Sequence, residues 1–131
     1  MRVDRRGQGI AREPRLESEG RLMSLSEWIM VVEGDVDPSV VMDWNRWYDE
    51  VHLPEITSCP GFKRGSRFIA DDGTEPRFLT IYELEDASAF TSPEFQASRG
   101  LGPFGSHVRV QTRLYRKHLA LEGSATRGDE T

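Results

Sequence analysis

The chain has 131 residues, 37% hydrophobic and 30% charged, with a formal net charge of −5. That length suits one globular domain. The negative balance argues against a general phosphate-backbone binder, and no apolar run reaches the roughly 20 residues a membrane helix needs. The single cysteine, Cys59, excludes an internal disulfide and suits a reducing, cytoplasmic setting. Neither nucleic acid nor membrane is therefore an expected partner.

Residues 1–24 are rich in Arg, Glu and Gly and show neither a helical nor a strand period. They read as a disordered arm without a secretory h-region, and Met23 is a second candidate start. Residues 25–121 read as the folded domain, and 122–131 as a flexible polar tail.

EWIMVVEGDV, from Glu27, is a β-branched run closed by Gly34 and Asp35, and predicts a strand. Asp37-Pro38 is an N-cap followed by proline, and opens a helix expected to run to about His52, because Leu53 precedes Pro54. LPEITSC adds a short turn ending at Pro60-Gly61. FKRGSRFIA and RFLTIYELE form a hairpin across the DDGTEP loop. Asp86 and then Ser92-Pro93 start a short helical stretch ended by Gly100. After the loop GLGPFGS, HVRVQTRLYRKHLAL alternates as a last strand. The order β-α-β-β-α-β predicts an α+β, ferredoxin-like antiparallel sheet with helices on one face.

In that arrangement the other sheet face should be polar. Instead Ile29 and Val31, and likewise Leu79 and Ile81, put apolar residues on the second parity of both central strands. The expected cover is the same face of a second copy; the alternative is a C-terminal segment folded back over it.

The helix carries the chemistry-bearing side chains. Val40, Trp44, Trp47 and Val51 make an apolar stripe for the sheet. The stripe one residue further on holds Val41, Asn45, Tyr48 and His52, while Asp43, Arg46 and Glu50 form a solvated face. An amide, a phenol and an imidazole beside a packed stripe suit the edge of a small-molecule cleft. His52 at the helix end could exchange a proton near neutral pH with Asp49 orienting it, or could simply cap the helix.

The stretch DWNRWYDEVHLPEITSCPGFKRGSRF resembles the dimeric α/β-barrel superfamily, especially its EthD-like and related branches. The matching positions are Asn45, Trp47, Tyr48, His52, Pro54, Pro60, Gly61 and Phe62. Tyr82-Glu83-Leu84 and Ser92-Pro93-Glu94-Phe95 extend the resemblance over roughly residues 27–119. It implies pairing into a dimeric α/β barrel. It leaves the reaction open, since the superfamily includes polyketide cyclases, muconolactone-type isomerases, cofactor-free monooxygenases, haem-handling enzymes and members without known activity.

The stripe and the resemblance together suggest a cofactor-independent cyclase, isomerase or lyase acting on a hydrophobic, aromatic or polyketide-like carbonyl compound. His52 is expected as acid/base, Tyr48 and Asn45 as donors to the substrate oxygen, and Asp49 as orienting group. Trp44, Phe68 and Tyr82 are expected to shape the wall, with Arg67 and His107 as further substrate-binding candidates. Arg113 and Tyr115 are weaker candidates; surface exposure or core packing explains each of these Arg and Tyr residues better than a binding role does, and Tyr82, amid an otherwise apolar strand, is the best of them. The alternatives are cofactor-free oxygenation of an electron-rich aromatic, a non-catalytic dimer that binds a small hydrophobe, and a purely structural dimerisation domain. The three histidines lack metal-ligand spacing, so neither metal nor cofactor is expected. Cys59, with no base beside it, reads as structural.

Overall fold

The computed structural model describes residues 25–73 and 76–124. The expected arm 1–24 and most of the expected tail, 125–131, lie outside them.

Four strands, β1 (Trp28–Val36), β2 (Phe62–Ile69), β3 (Arg77–Leu84) and β4 (Val108–Arg116), form one sheet. Their order is β2-β3-β1-β4 and every neighbouring pair is antiparallel. Between β1 and β2 the chain makes a 3₁₀ turn (Pro38–Val40), α1 (Val41–Trp47), a π turn (Tyr48–His52) and α2 (Leu53–Thr57). Between β3 and β4 it makes a 3₁₀ turn (Ala87–Thr91), α3 (Pro93–Ser98) and another 3₁₀ turn (Gly102–Phe104). This is the expected α+β arrangement.

The caps are those the sequence signals. Asp37 accepts from the Ser39 backbone N–H at 3.0 Å. Asp86 accepts from the Ser88 N–H at 2.8 Å, and the Ser92 hydroxyl accepts from the Phe95 N–H at 3.2 Å. Each satisfies a donor that a helix start leaves unpaired.

One parity of the sheet meets the helices. Met30, Tyr82 and Leu84 pack with Ile56, Phe62 and Phe95, and Val36 and Phe78 pack with Trp44, Tyr48 and Val108. Gly65 permits α2 to sit directly on β2: a Cβ there would lie 2.8 Å from Leu53 and 3.0 Å from Tyr82.

The register of β2 shifts between Phe62 and Arg64. Phe62 stands opposite Leu84 on the helix face, but after the bulge Gly65 pairs with Tyr82 and Arg67 with Thr80. Arg67 therefore faces the helices. Phe68, opposite Leu79, is turned to the other side.

That other side is the open face. Val31 and Ile81 are cross-strand partners on it, and Arg113 and Tyr115 stand opposite Val31 and Ile29. A shallow apolar depression there is lined by Ile29, Val31, Leu79, Tyr115, Leu119 and Leu121. Leu119 and Leu121, from the segment after β4, border that depression and remain mostly exposed.

The helix departs from expectation after Trp47. The backbone stays helical through Pro54, with Leu53 at φ −61° and ψ −47°. The Leu53 N–H reaches back to the Tyr48 carbonyl, five residues earlier. The wide turn holds one residue more than an α-helical path, as π turns do. His52 consequently takes the inward place expected for Val51, which is half-exposed. The buried line becomes Trp44, Tyr48, His52 and Ile56.

Candidate active site

Beneath the wide turn, against the sheet, lies a cavity of about 150 Å³. Tyr48 and His52 line it from the helix, Met30, Val32, Tyr82, Val110 and Thr112 from the sheet, and Ile56 and Phe95 from behind. Arg99, Gly100 and Leu101 line it where the chain leaves α3.

Besides Arg99 and Thr112, its polar groups come from Tyr48, Tyr82 and His52. The Tyr48 and Tyr82 hydroxyls are 3.0 Å apart in a buried hydrogen bond. In such a pair one hydroxyl donates to the other, whose own proton is then available to a ligand. Burial, then the neighbouring Tyr48, pushes the Tyr82 hydroxyl far above the ordinary phenol range, so it stays protonated as a donor.

His52 stacks on Trp47 with centroids 4.7 Å apart and planes 14° from parallel, and meets the edge of Tyr48 at 5.0 Å. Burial lowers its pKa below 6.5, and the nearby Glu55 carboxylate partly opposes this. Nδ1 lies 3.8 Å from the Glu55 carboxylate, an ion-pair distance rather than a hydrogen bond. The imidazole is thus held neutral near pH 7, ready to accept a proton.

Arg67 lies on the far side of Tyr48. Its guanidinium sits 4.4 Å from the Tyr48 ring centre and 5.2 Å from that of Phe78. Nη1 donates to Asp49 at 2.6 Å, while Nε and Nη2 are buried without a hydrogen-bond partner among the described residues.

Of the residues singled out in the sequence, Tyr48, His52 and Tyr82 converge on the cavity. Trp44 is buried behind Tyr48, edge-on at 5.2 Å, and does not line it. Asn45 is half-buried with an unpartnered Oδ1, also away from the lining. Asp49 was expected beside His52 and instead pairs with Arg67; the widened turn separates it from the imidazole, and Glu55 is the carboxylate next to that ring. Phe68 is half-exposed on the open face because the β2 bulge reverses the alternation that would have placed it with Phe62. His107 is exposed, hydrogen-bonds with Ser106, and borders a separate groove containing Asp35 and Asp37. Arg99 and Phe104 were not anticipated; the only signal for either was the glycine-rich loop beside them. Phe104 packs against Trp44 and Trp47, at 5.7 and 5.6 Å, and so backs the stack.

No group of His, Cys, Asp or Glu among the described residues is placed to hold a metal ion. No described helix is long and apolar enough to cross a membrane.

No family model and no curated protein matches the chain. Solved structures do. The cofactor-independent oxygenase SnoaB from Streptomyces nogalater superposes with a TM-score of 0.54 at 15% identity, over 75% of this chain and 99% of that one. An ethyl tert-butyl ether degradation (EthD) family protein from Bacillus halodurans gives 0.51 at 12% identity, over 66% and 96%. This chain has their fold. A monooxygenase from the ActVA-Orf6 gene of Streptomyces coelicolor, solved with the ligand nanaomycin D, gives 0.51 at 17% identity, over 76% and 94%. The ferredoxin-like architecture of these proteins is therefore the one read from the strand order here.

Proposed function

We propose that the chain is a small-molecule enzyme that removes a proton from a hydrophobic phenol or enolisable carbonyl compound without a cofactor. The observation that carries this reading is a stacked imidazole and a hydroxyl pair lining one cavity. With Nδ1 turned to Glu55, His52 takes the proton at Nε2. The Tyr48–Tyr82 pair donates to the substrate oxygen, where negative charge develops. Arg67, paired with Asp49, supports Tyr48 from behind rather than touching substrate, and Asn45 stands outside the cavity lining. Reprotonation at a second carbon gives an isomerase, and attack on an internal carbonyl gives a cyclase.

A second outcome of the same first step is monooxygenation, in which the electron-rich anion reacts with dioxygen. The names of the fold relatives favour it. The two outcomes part on oxygen uptake.

The test uses hydroxyaromatic and β-keto acid probes in D₂O, followed by NMR for deuterium incorporation and by an oxygen electrode. Wild-type protein is expected to exchange or oxidise a probe. His52→Ala is expected to slow this by about 10²–10⁴-fold, as for loss of a general base. Equal rates in the two proteins would remove the role of His52.

The same reading includes a homodimer. Ile29, Val31, Leu79 and Ile81 offer an apolar sheet face of the kind soluble chains bury against a second copy.

A further inference from the structure

The cavity has one feature that its chemistry does not use. Among the described residues, Arg99 is the one Arg, Lys, Asp or Glu that lines it. It follows α3, where its backbone N–H donates to the Phe95 carbonyl at 3.0 Å. Its guanidinium lies 5.1 Å from the Phe95 ring centre and 5.6 Å from that of Phe90. Two aromatic faces thus hold the charge in place beside a hollow that is otherwise uncharged at neutral pH. The protein as a whole is negative, with a net charge of −5. Its overall field repels anions, so an anion enters only where a local cation offsets that field.

Size sets the second limit. A hollow of about 150 Å³ matches one that holds benzene, a single ring. A fused three-ring skeleton exceeds it.

We propose that the cavity takes a one-ring substrate bearing a carboxylate, with the ring between Tyr82 and Phe95 and the carboxylate on the fork of Arg99. Arg99 is then the residue that selects substrate charge. This deepens the reading of the cavity as a substrate site, and it narrows the expected polyketide-like compounds to single-ring acids. A guanidinium–carboxylate pair is directional and charge-assisted, whereas a neutral analogue leaves the fork unpaired.

The experiment measures binding, not turnover, so it fails or succeeds separately from the role of His52. Three probes are titrated by calorimetry into wild-type protein and into Arg99→Gln: 4-hydroxyphenylacetate, its neutral relative p-cresol, and anthracene-2-carboxylate. Wild type is expected to bind 4-hydroxyphenylacetate about ten- to a hundredfold more tightly than p-cresol. Arg99→Gln should abolish that preference while leaving p-cresol affinity unchanged, and the three-ring acid should not bind. Arg99 is exposed, so the variant folds as wild type does. The proposal is overturned by equal affinity for acid and cresol, by an undiminished preference in Arg99→Gln, by preference for the three-ring acid, or by no binding of any probe.

Discussion

Trp47 and His52 stack face to face at 4.7 Å although they stand five positions apart in the chain. On a regular α-helix positions five apart point roughly 140° away from each other at 3.6 residues per turn. They meet because the π turn lodges an extra residue and returns the helix to phase. The same turn accommodates Pro54, whose missing N–H and bulky ring a regular helix interior would not tolerate. Trp44 before the turn and Ile56 after it are both buried, and they hold the two flanks. Pro54→Ala is therefore expected to change stability by less than about 1 kcal/mol, against about 3 kcal/mol for proline in a helix interior. The near-UV tryptophan signal should persist. Its loss would mean that the proline, not the core, sustains the turn.

The buried imidazole makes stability depend on pH. Burial lowers the folded-state pKa of His52 below 6.5, so as pH falls the unfolded chain takes up this proton first. The contribution of His52 is complete above 6.5 and declines below it, until the folded-state imidazole also protonates. Denaturant unfolding at about pH 7.5 and 5.5 should show wild type losing more stability than His52→Gln over that interval. Equal losses would show that His52 is not held neutral. Any activity that needs His52 as a base should persist below 6.5 and fall only at the lower pH where the folded-state imidazole itself protonates.

The Tyr48–Tyr82 hydroxyl bond is open to a double-mutant cycle. Each single Tyr→Phe change should cost about 1 kcal/mol, and the coupling should be of similar size because the pair shares one hydrogen bond. If the pair acts as the donor to substrate oxygen, the double variant should be no slower than the worse single one. Additive losses in rate would mean that the hydroxyls act separately.

Arg67 poses a conflict between stability and function. Its contact with Tyr48 and its pair with Asp49 are favourable, but two of its buried nitrogens lack hydrogen-bond partners. Such unpaired donors cost about 1–3 kcal/mol. Asp49 is more than half exposed and can be solvated if its partner is removed. Arg67→Met is therefore expected to raise stability by about 1 kcal/mol and to lower turnover, since the charge beneath Tyr48 is gone. A destabilised variant with normal turnover would assign Arg67 to packing alone.

A charge placed on the open face should separate two copies. Val31→Glu lies opposite Ile81 and away from the cavity. Light scattering should report a dimer for wild type and a monomer for the variant, with the single-chain fold retained by circular dichroism. A wild-type monomer would leave the apolar face for another partner.

The strands were legible because period-2 alternation and turn residues mark them at both ends, and the two-faced apolar pattern of β1 and β3 exposed the uncovered side. The cavity was legible where it follows the helix, at Tyr48 and His52. The extra residue in the turn left no periodic trace, so Val51 was read inward and Asp49 beside His52. One bulge near Lys63 likewise exchanged the faces of Arg67 and Phe68. Arg99 comes to the cavity from a distant loop, and no local period reports such a long-range approach.

A helix that lodges a surplus residue can also shed it. Deleting exposed Glu50 would leave Trp47 and His52 neighbours at α-helical spacing, but would set Pro54 inside an unbroken hydrogen-bond ladder at a cost of about 3 kcal/mol. Combining the deletion with Pro54→Ala should restore the lost stability. The two positions are then tied genetically: a lineage could drop one codon here only after, or together with, a change at the proline.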